Sequence, residues 1–232
     1  MEHYKIITDP DKLKEFINWL PELKDSEAFY VSLFARSKYA KDVMKLKADK
    51  QQLKRFTSNK EFLYEKIEQL ETKVGTYYQN HMPLPQEALS LYITPNPRSY
   101  VLAGKKTVKA IQELIFTNNF HFNPHQEALS AIQVSSLNKY YCDLDFDNVE
   151  WPDVKDEILS KINHDCLTTV KTRGGFHLLV RYDKISPKFS KSWYLGLTNI
   201  KGCDVRGDNL LPVPGTYQGG FTPELITNVL KY

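Results

Sequence analysis

Residues 140–148 read YYCDLDFDN, and residues 171–182 read KTRGGFHLLVRY. In the first stretch Asp143, Asp145 and Asp147 alternate with Leu144 and Phe146. A period of two is that of a strand. The acids therefore share one face at about 6.8 Å per step, while the apolar residues point to a core on the other. Aspartate is disfavoured within strands, and parallel carboxylates repel one another. Like charges thus stand on a structured element at a cost that a hard divalent cation would offset. Mg²⁺ or Mn²⁺ takes oxygen ligands and keeps places for water and phosphate. Alone, a DxD pair reads equally well as a strand end with solvated acids.

The second stretch adds chemistry of the opposite sign. Gly174 and Gly175 let backbone amides approach an anion closely, and Lys171 and Arg173 bring positive charge. His177 follows on a strand whose Leu178 and Val180 can pack inward, where it could donate to a phosphate. Taken singly, a plain hairpin turn and a half-buried histidine explain the same residues. A third run, GCDVRGDNLLPVPGT at 202–216, sets Asp204 and Arg206 two apart, on one face if extended. Asp204 is then a candidate third metal ligand and Arg206 a triphosphate contact. Asp208 competes with Asp204 for the acid role, although it is expected in the turn between two β-runs. A Gly-Asp hairpin with a local ion pair accounts for this run as well.

Outward from these runs the elements alternate. From residue 137 on, KYYCDLDF, CLTTVKT, GFHLLVRY and the pair GCDVRG/NLLPVP read as strands, with helices in WPDVKDEILSKI and SPKFSKSWYLGL. Upstream, Asp9 and Pro10 open a helix with Phe16, Trp19 and Leu20 on one face, and AFYVSLFARSKY is β-rich. Residues 41–55 and 58–73 read as two helices, the second capped by Ser58 with Glu61 three positions on. HMPLPQ reads as a loop and ALSLYIT as a strand. PNPRSY reads as an extended turn that presents Arg98. Helices are expected over Val101–Phe116 and His125–Val134. The pattern predicts an α/β (α+β) fold with helices on one face of a sheet. No internal repeat or linker divides it, so one unit of two modules is expected, 1–130 and 131–232.

The 232 residues suffice for a substantial core, and 41% apolar with 25% charged residues is ordinary for a soluble globular protein. No apolar run reaches about 18 residues, and the N-terminal stretch lacks the apolar core of a signal peptide. A cytoplasmic protein without a membrane partner is expected. Cys142, Cys166 and Cys203 form no CxxC pair and read as buried free thiols. The net charge of +3 hides a basic block at 36–55, with eight basic and two acidic side chains, so the remainder carries −3. Such a block can attract a polyanion or be a solvated helix face. Arg36 and Lys38, with Tyr39 and Phe56 nearby, and Arg98 are candidates for a single-stranded template, where a positive groove with stacked aromatics is favoured. His121 and His125 have i,i+4 spacing, but Pro124 interrupts them, so a loop and helix cap is the reading rather than zinc.

An acid pair, a glycine–histidine strand and a later lone acid, in that order, resemble the catalytic core of the archaeo-eukaryotic primase superfamily, in particular its primase-polymerase group. The matching residues are YYCDLD with Asp143 and Asp145, TRGGFH with His177, and GCD with Asp204; PVPGT resembles the proline-glycine loop that often closes this core. Residues 137–220 carry the resemblance. Many members have serine in or before the histidine motif, where this chain has Gly175 and, further back, Thr172. The resemblance implies an RRM-like antiparallel sheet module packed on an N-terminal α/β module. It also implies a two-metal site for Mg²⁺ or Mn²⁺ on Asp143, Asp145 and Asp204. Thr172, Arg173, Gly174, Gly175, His177 and Arg206 would surround an NTP or dNTP. The implied activity is template-directed nucleotidyl transfer, as a DNA primase or primase-polymerase on a single-stranded DNA template. A helicase or other replication proteins would act in trans, as in a small phage or mobile-element system in a bacterial or infected host cell.

Three rival readings remain. A DxD glycosyltransferase also pairs carboxylates with a metal and a nucleotide, but leaves TRGGFH unexplained. A metal-dependent nuclease would cleave strands without added nucleotides. A non-catalytic RRM-like binding module would show exposed aromatics on its central strands, for which only Tyr141 and Phe176 are available.

Overall fold

The computed structural model describes residues 2–117, 123–189 and 192–231. His121 therefore lies outside the described residues. The N-terminal elements are α1 (Pro10–Trp19), β1 (Glu27–Arg36), α2 (Ser37–Ala40), β2 (Lys50–Ser58), α3 (Leu63–Glu68), β3 (Tyr78–Gln79), β4 (Met82–Pro83), β5 (Leu89–Ile93) and β6 (Arg98–Ser99). Two helices follow, α4 (Tyr100–Thr117) and α5 (Pro124–Gln133). The C-terminal part holds β7 (Tyr141–Asp147), α6 (Trp151–Lys161), β8 (Leu167–Thr172), β9 (Gly175–Arg181), α7 (Trp193–Leu197), β10 (Cys203–Gly207), β11 (Leu211–Pro212) and β12 (Glu224–Ile226). Mixed α and β structure with antiparallel sheets is thus observed. No helix among the described residues is long and apolar enough to cross a membrane.

The first sheet runs β11-β5-β1-β2, with β6 on β1, and the second runs β10-β7-β9-β8-β12, every pairing antiparallel. In the second sheet a β-α-β-β-α-β order places the first and third strands in the middle. Its period-two patterning sorts the side chains. Cys142, Leu144, Phe146, Phe176, Leu178 and Val180 pack under α6 and α7, where Trp151, Ile158, Trp193 and Leu197 meet them. On the opposite face Tyr141, Val170, Leu179 and Leu225 join the core of the first sheet with Phe16, Val31, Leu33 and Leu91. The apolar half of that face docks the two sheets. Its other half carries the acids.

Three expectations are corrected. Residues 41–55 are not a helix: a short turn and loop lead into β2, which pairs with β1 from Arg36↔Lys50 to Phe29↔Ser58. Lys, Gln and Ala favour a helix locally, but nine residues of ladder against a buried strand outweigh that preference. In 58–73 only Leu63–Glu68 is helical; Ser58 ends β2 and Asn59, not Ser58, accepts the Phe62 amide at 3.1 Å. Of SPKFSKSWYLGL, Ser190 and Lys191 lie outside the described residues, and among the rest Trp193–Leu197 is helical. The boundary at 130/131 is also crossed, because β11 returns to the first sheet and Gln218 bridges to Ser90. His125 sits in the first turn of α5, whose cap is Asn123.

Candidate functional site

The acid face of the second sheet is assembled by register. β7 and β9 pair Asp145 with His177 and Asp147 with Gly175, while β10 pairs Asp204 with Asp145. Gly175 makes that register possible: its φ is +146°, and a Cβ there would lie 2.0 Å from the Phe146 carbonyl oxygen. No side chain larger than hydrogen fits. Arg173 and Gly174 form the two-residue turn between Thr172 and Gly175.

Asp143 is buried and holds His177, whose Nδ1 lies 2.9 and 3.2 Å from its two carboxylate oxygens. His177 Nε2 then faces Asp145 Oδ1 at 3.6 Å. Burial alone would lower the His177 pKa. The Asp143 charge and hydrogen bond, with Asp145 and Asp147 behind them, outweigh it and raise the value. Burial also raises Asp145; His177 pulls it back, and the charges of Asp147 and Asp143 add to the rise. Asp145 and Asp204 are bridged by Arg206, which lies 3.5 Å from Asp145 Oδ2 through Nε and 3.0 Å from Asp204 Oδ2.

Asp145, Asp147, His177 and Arg206 form one wall of a cleft of about 250 Å³ between the two sheets. The facing wall comes from β1, α2, β2 and β5: Arg36, Lys38, Tyr39, Lys50 and Tyr92. Arg36 donates to Tyr92 Oη at 2.6 Å. The Lys50 stem is exposed, but its ammonium lies over the rings of Phe34 at 4.1 Å and Tyr92 at 4.7 Å. Burial against those rings and the charges of Arg36 and Arg206 lower its pKa to about 8. Burial and the Arg36 charge likewise lower Lys38. Tyr39 lies beneath three cations, Arg36, Lys38 and Arg173. A cationic wall thus faces an anionic one across a space of nucleotide-phosphate dimensions.

The sequence candidates fare unequally. Asp145, His177, Thr172, Gly174 and Arg206 line the cleft, together with Arg36 and Lys38. Asp143 is turned to His177, and Asp204 reaches the site through Arg206. Among the described residues no group of three or more His, Cys, Asp or Glu side chains is gathered to hold a metal. Arg173 stacks on Tyr39, and its amide donates to Gln218 at 3.1 Å, so that amide is not open to a phosphate. Arg98 is corrected outright: it is 1% exposed and grips Asp208 through two bonds of 2.6 and 2.7 Å. It cannot be a template contact on the surface. Asp208, committed to Arg98 and to Asn96 at 3.0 Å, is not available as the third ligand.

Sequence reasoning does not find Tyr92, Asn209 or Gln218, all of which line the cleft; it holds Lys50 only as one cation of the 36–55 block and notes Asp147 only for its spacing. Lys50 was misplaced with the false helix; an Arg36–Lys50 strand pairing would have exposed it. Tyr141 and Phe176 are 2% and 1% exposed, which removes the aromatic platform a binding-only sheet requires. No protein-family model, no curated protein and no solved structure matches the chain.

The acid wall fits a hard divalent cation by its donor chemistry. Asp145 and Asp204 stand opposite one another on adjacent strands, both oxygen donors, and a guanidinium already fills the space between them.

Proposed function

We propose that this protein is a metal-dependent nucleotidyltransferase of the primase-polymerase type, which makes or extends primers on single-stranded DNA. The observation that carries the reading is the apposition of Asp145, Asp147 and His177 with Arg36, Lys38 and Lys50 across one cleft. A metal–triphosphate complex has this charge pattern, with cation and polyanion side by side. The primase-like order of motifs supports the same reading, as does the β-α-β-β-α-β order of the sheet that bears them.

Asp145 and Asp204 would hold the metal, with Asp147 beside them. Bound divalent ions supply the Lewis-acid chemistry that activates a hydroxyl and stabilises a leaving pyrophosphate. Asp143 fixes the His177 ring by its Nδ1 hydrogen bond, and its charge raises the His177 pKa; Nε2, left facing Asp145 and the cleft, would donate to a phosphate oxygen. Arg36, Lys38 and Lys50 neutralise the triphosphate, and Thr172 and Gln218 border it. The lysines at 41, 45 and 47, between α2 and β2, are exposed and suit the phosphates of a template strand.

The test is incubation with single-stranded DNA, labelled NTPs or dNTPs and Mg²⁺ or Mn²⁺, with and without a primer. Template-dependent products are expected, and Asp145→Asn is expected to abolish them while leaving circular dichroism and melting unchanged. Full synthesis by Asp145→Asn defeats the metal reading. Strand cleavage without nucleotides, or sugar-nucleotide hydrolysis in place of synthesis, moves the protein to another class.

A further inference from the structure

β10 does not pair evenly with β7. Asp204 faces Asp145 and Val205 faces Leu144, but Gly207, not Arg206, faces Asp143. Arg206 is the extra residue of a β-bulge, and such bulges re-aim a side chain and release it from the ladder. Gly207 follows with φ +70°, the left-handed backbone the bulge requires, and a Cβ there would meet nothing within 4 Å. The bulge is anchored on both sides, by the Asp204 pairing before it and by the Arg98 clamp on Asp208 after it. The Arg206 side chain between these anchors is 41% exposed.

That side chain stands between two spaces. It lines the cleft of about 250 Å³ and a neighbouring cavity of about 530 Å³, which share Arg206, Asn209 and Leu210. On the cleft side its guanidinium sits between Asp145 and Asp204, the position a bridging cation would take. We propose that Arg206 is a built-in counter-ion that holds Asp145 and Asp204 together until a divalent cation displaces it. The proposal rests on the metal reading above and goes beyond it. Arg206 lies against Oδ2 of both carboxylates, so a cation taken up between those two oxygens carries the cost of ejecting it. The displaced guanidinium can swing into the adjoining cavity or onto an incoming triphosphate. A polyanion that captures it thereby tightens metal binding, which couples the two ligands.

The experiment follows Mn²⁺ binding to the full chain by electron paramagnetic resonance, without nucleotide. Arg206→Gln is expected to bind Mn²⁺ about tenfold more tightly than the unaltered protein, a coupling of ordinary size. Lys50→Gln removes an equal charge from the opposite wall and separates local displacement from general field; it is expected to change affinity by no more than about threefold. Adding inorganic triphosphate should tighten Mn²⁺ binding more in the unaltered protein than in Arg206→Gln. Circular dichroism checks that each variant is folded, and Arg206→Lys, which keeps the charge, should stay near the unaltered affinity. Mn²⁺ binding that Asp145→Asn weakens but Arg206→Gln leaves unchanged, or tightens no more than Lys50→Gln does, overturns this proposal and spares the metal reading. Absence of Mn²⁺ binding in every variant overturns both.

Discussion

Removing Arg98 tests how the two sheets are held at the site. Arg98 is 1% exposed and Asp208 15%, and two hydrogen bonds of 2.6 and 2.7 Å join them. Asn96 extends the clamp: its side chain donates to Asp208 and to the Tyr141 carbonyl, and accepts from the amides of Tyr140 and Tyr141. The turn after β10 and the start of β7 are thus fixed to the same two residues of the first module. Breaking a buried ion pair by deleting one partner costs about 3–5 kcal/mol, because the survivor is left unpaired. In Arg98→Met the survivor is Asp208, which keeps Asn96 and some water, so the low end, about 3 kcal/mol, applies. For a chain of this size that corresponds to a fall in Tm of about 6–12 °C. Asp208→Asn strands a guanidinium with almost no solvent, and about 4–5 kcal/mol is expected. The double variant Arg98→Met with Asp208→Asn removes both charges and should cost less than the sum of the singles by at least about 2 kcal/mol. Urea denaturation of the four proteins gives the cycle. A loss below about 1 kcal/mol in Arg98→Met, or simple additivity in the double, refutes the clamp.

Three other substitutions have definite signs. Gly175→Ala forces a Cβ to within 2.0 Å of the Phe146 carbonyl at φ +146° and should cost more than about 3 kcal/mol. Gly104→Ala, whose Cβ meets open space on helix α4, should gain up to about 1 kcal/mol; thermal melts that reverse this order defeat the argument. With its pKa near 8, Lys50 should make the binding of inorganic triphosphate weaken as pH rises through that value. Calorimetry from pH 7 to 9.5 should show a shallower decline in Lys50→Arg. The same depressed pKa implies that Lys50 favours the folded state increasingly as pH rises from about 8 to the ordinary 10.5, since over that range the unfolded chain still holds the proton. An identical triphosphate pH profile in Lys50→Arg would place the phosphates elsewhere.

What could be read from sequence alone follows the range of the physics involved. Asp143, Asp145 and Asp147 reveal themselves by a period of two, a local property of one strand, and the apolar partners Leu144 and Phe146 identify the face that packs under α6 and α7. The Arg173–Gly174 turn is local too. The error over residues 41–55 is of the opposite kind. Local preference there points to a helix, and only the buried β1 alongside, a non-local partner, makes it a strand. The same non-local pairing brings Lys50 beside Arg36, so losing the strand also loses one of the three cations of that wall.

Arg98 shows why a side chain's environment is harder to read than its element. Two prolines around Asn96 correctly signal an extended segment, and an arginine on such a segment is ordinarily solvated. Its burial depends on an aspartate 110 residues away. Asp208 is a rival metal ligand only if Arg98 is free. With the pair formed, both residues are structural, and the proposed metal reading falls to Asp204 over Asp208 on charge: a carboxylate already neutralised by a buried guanidinium has little left for a metal. Asp204 is also paired with an arginine, but with one that stands on a bulge and is 41% exposed where Arg98 is 1% exposed. The two pairs therefore differ in the setting of the arginine rather than in the acid, and that difference becomes visible only when the register of β10 against β7 is known.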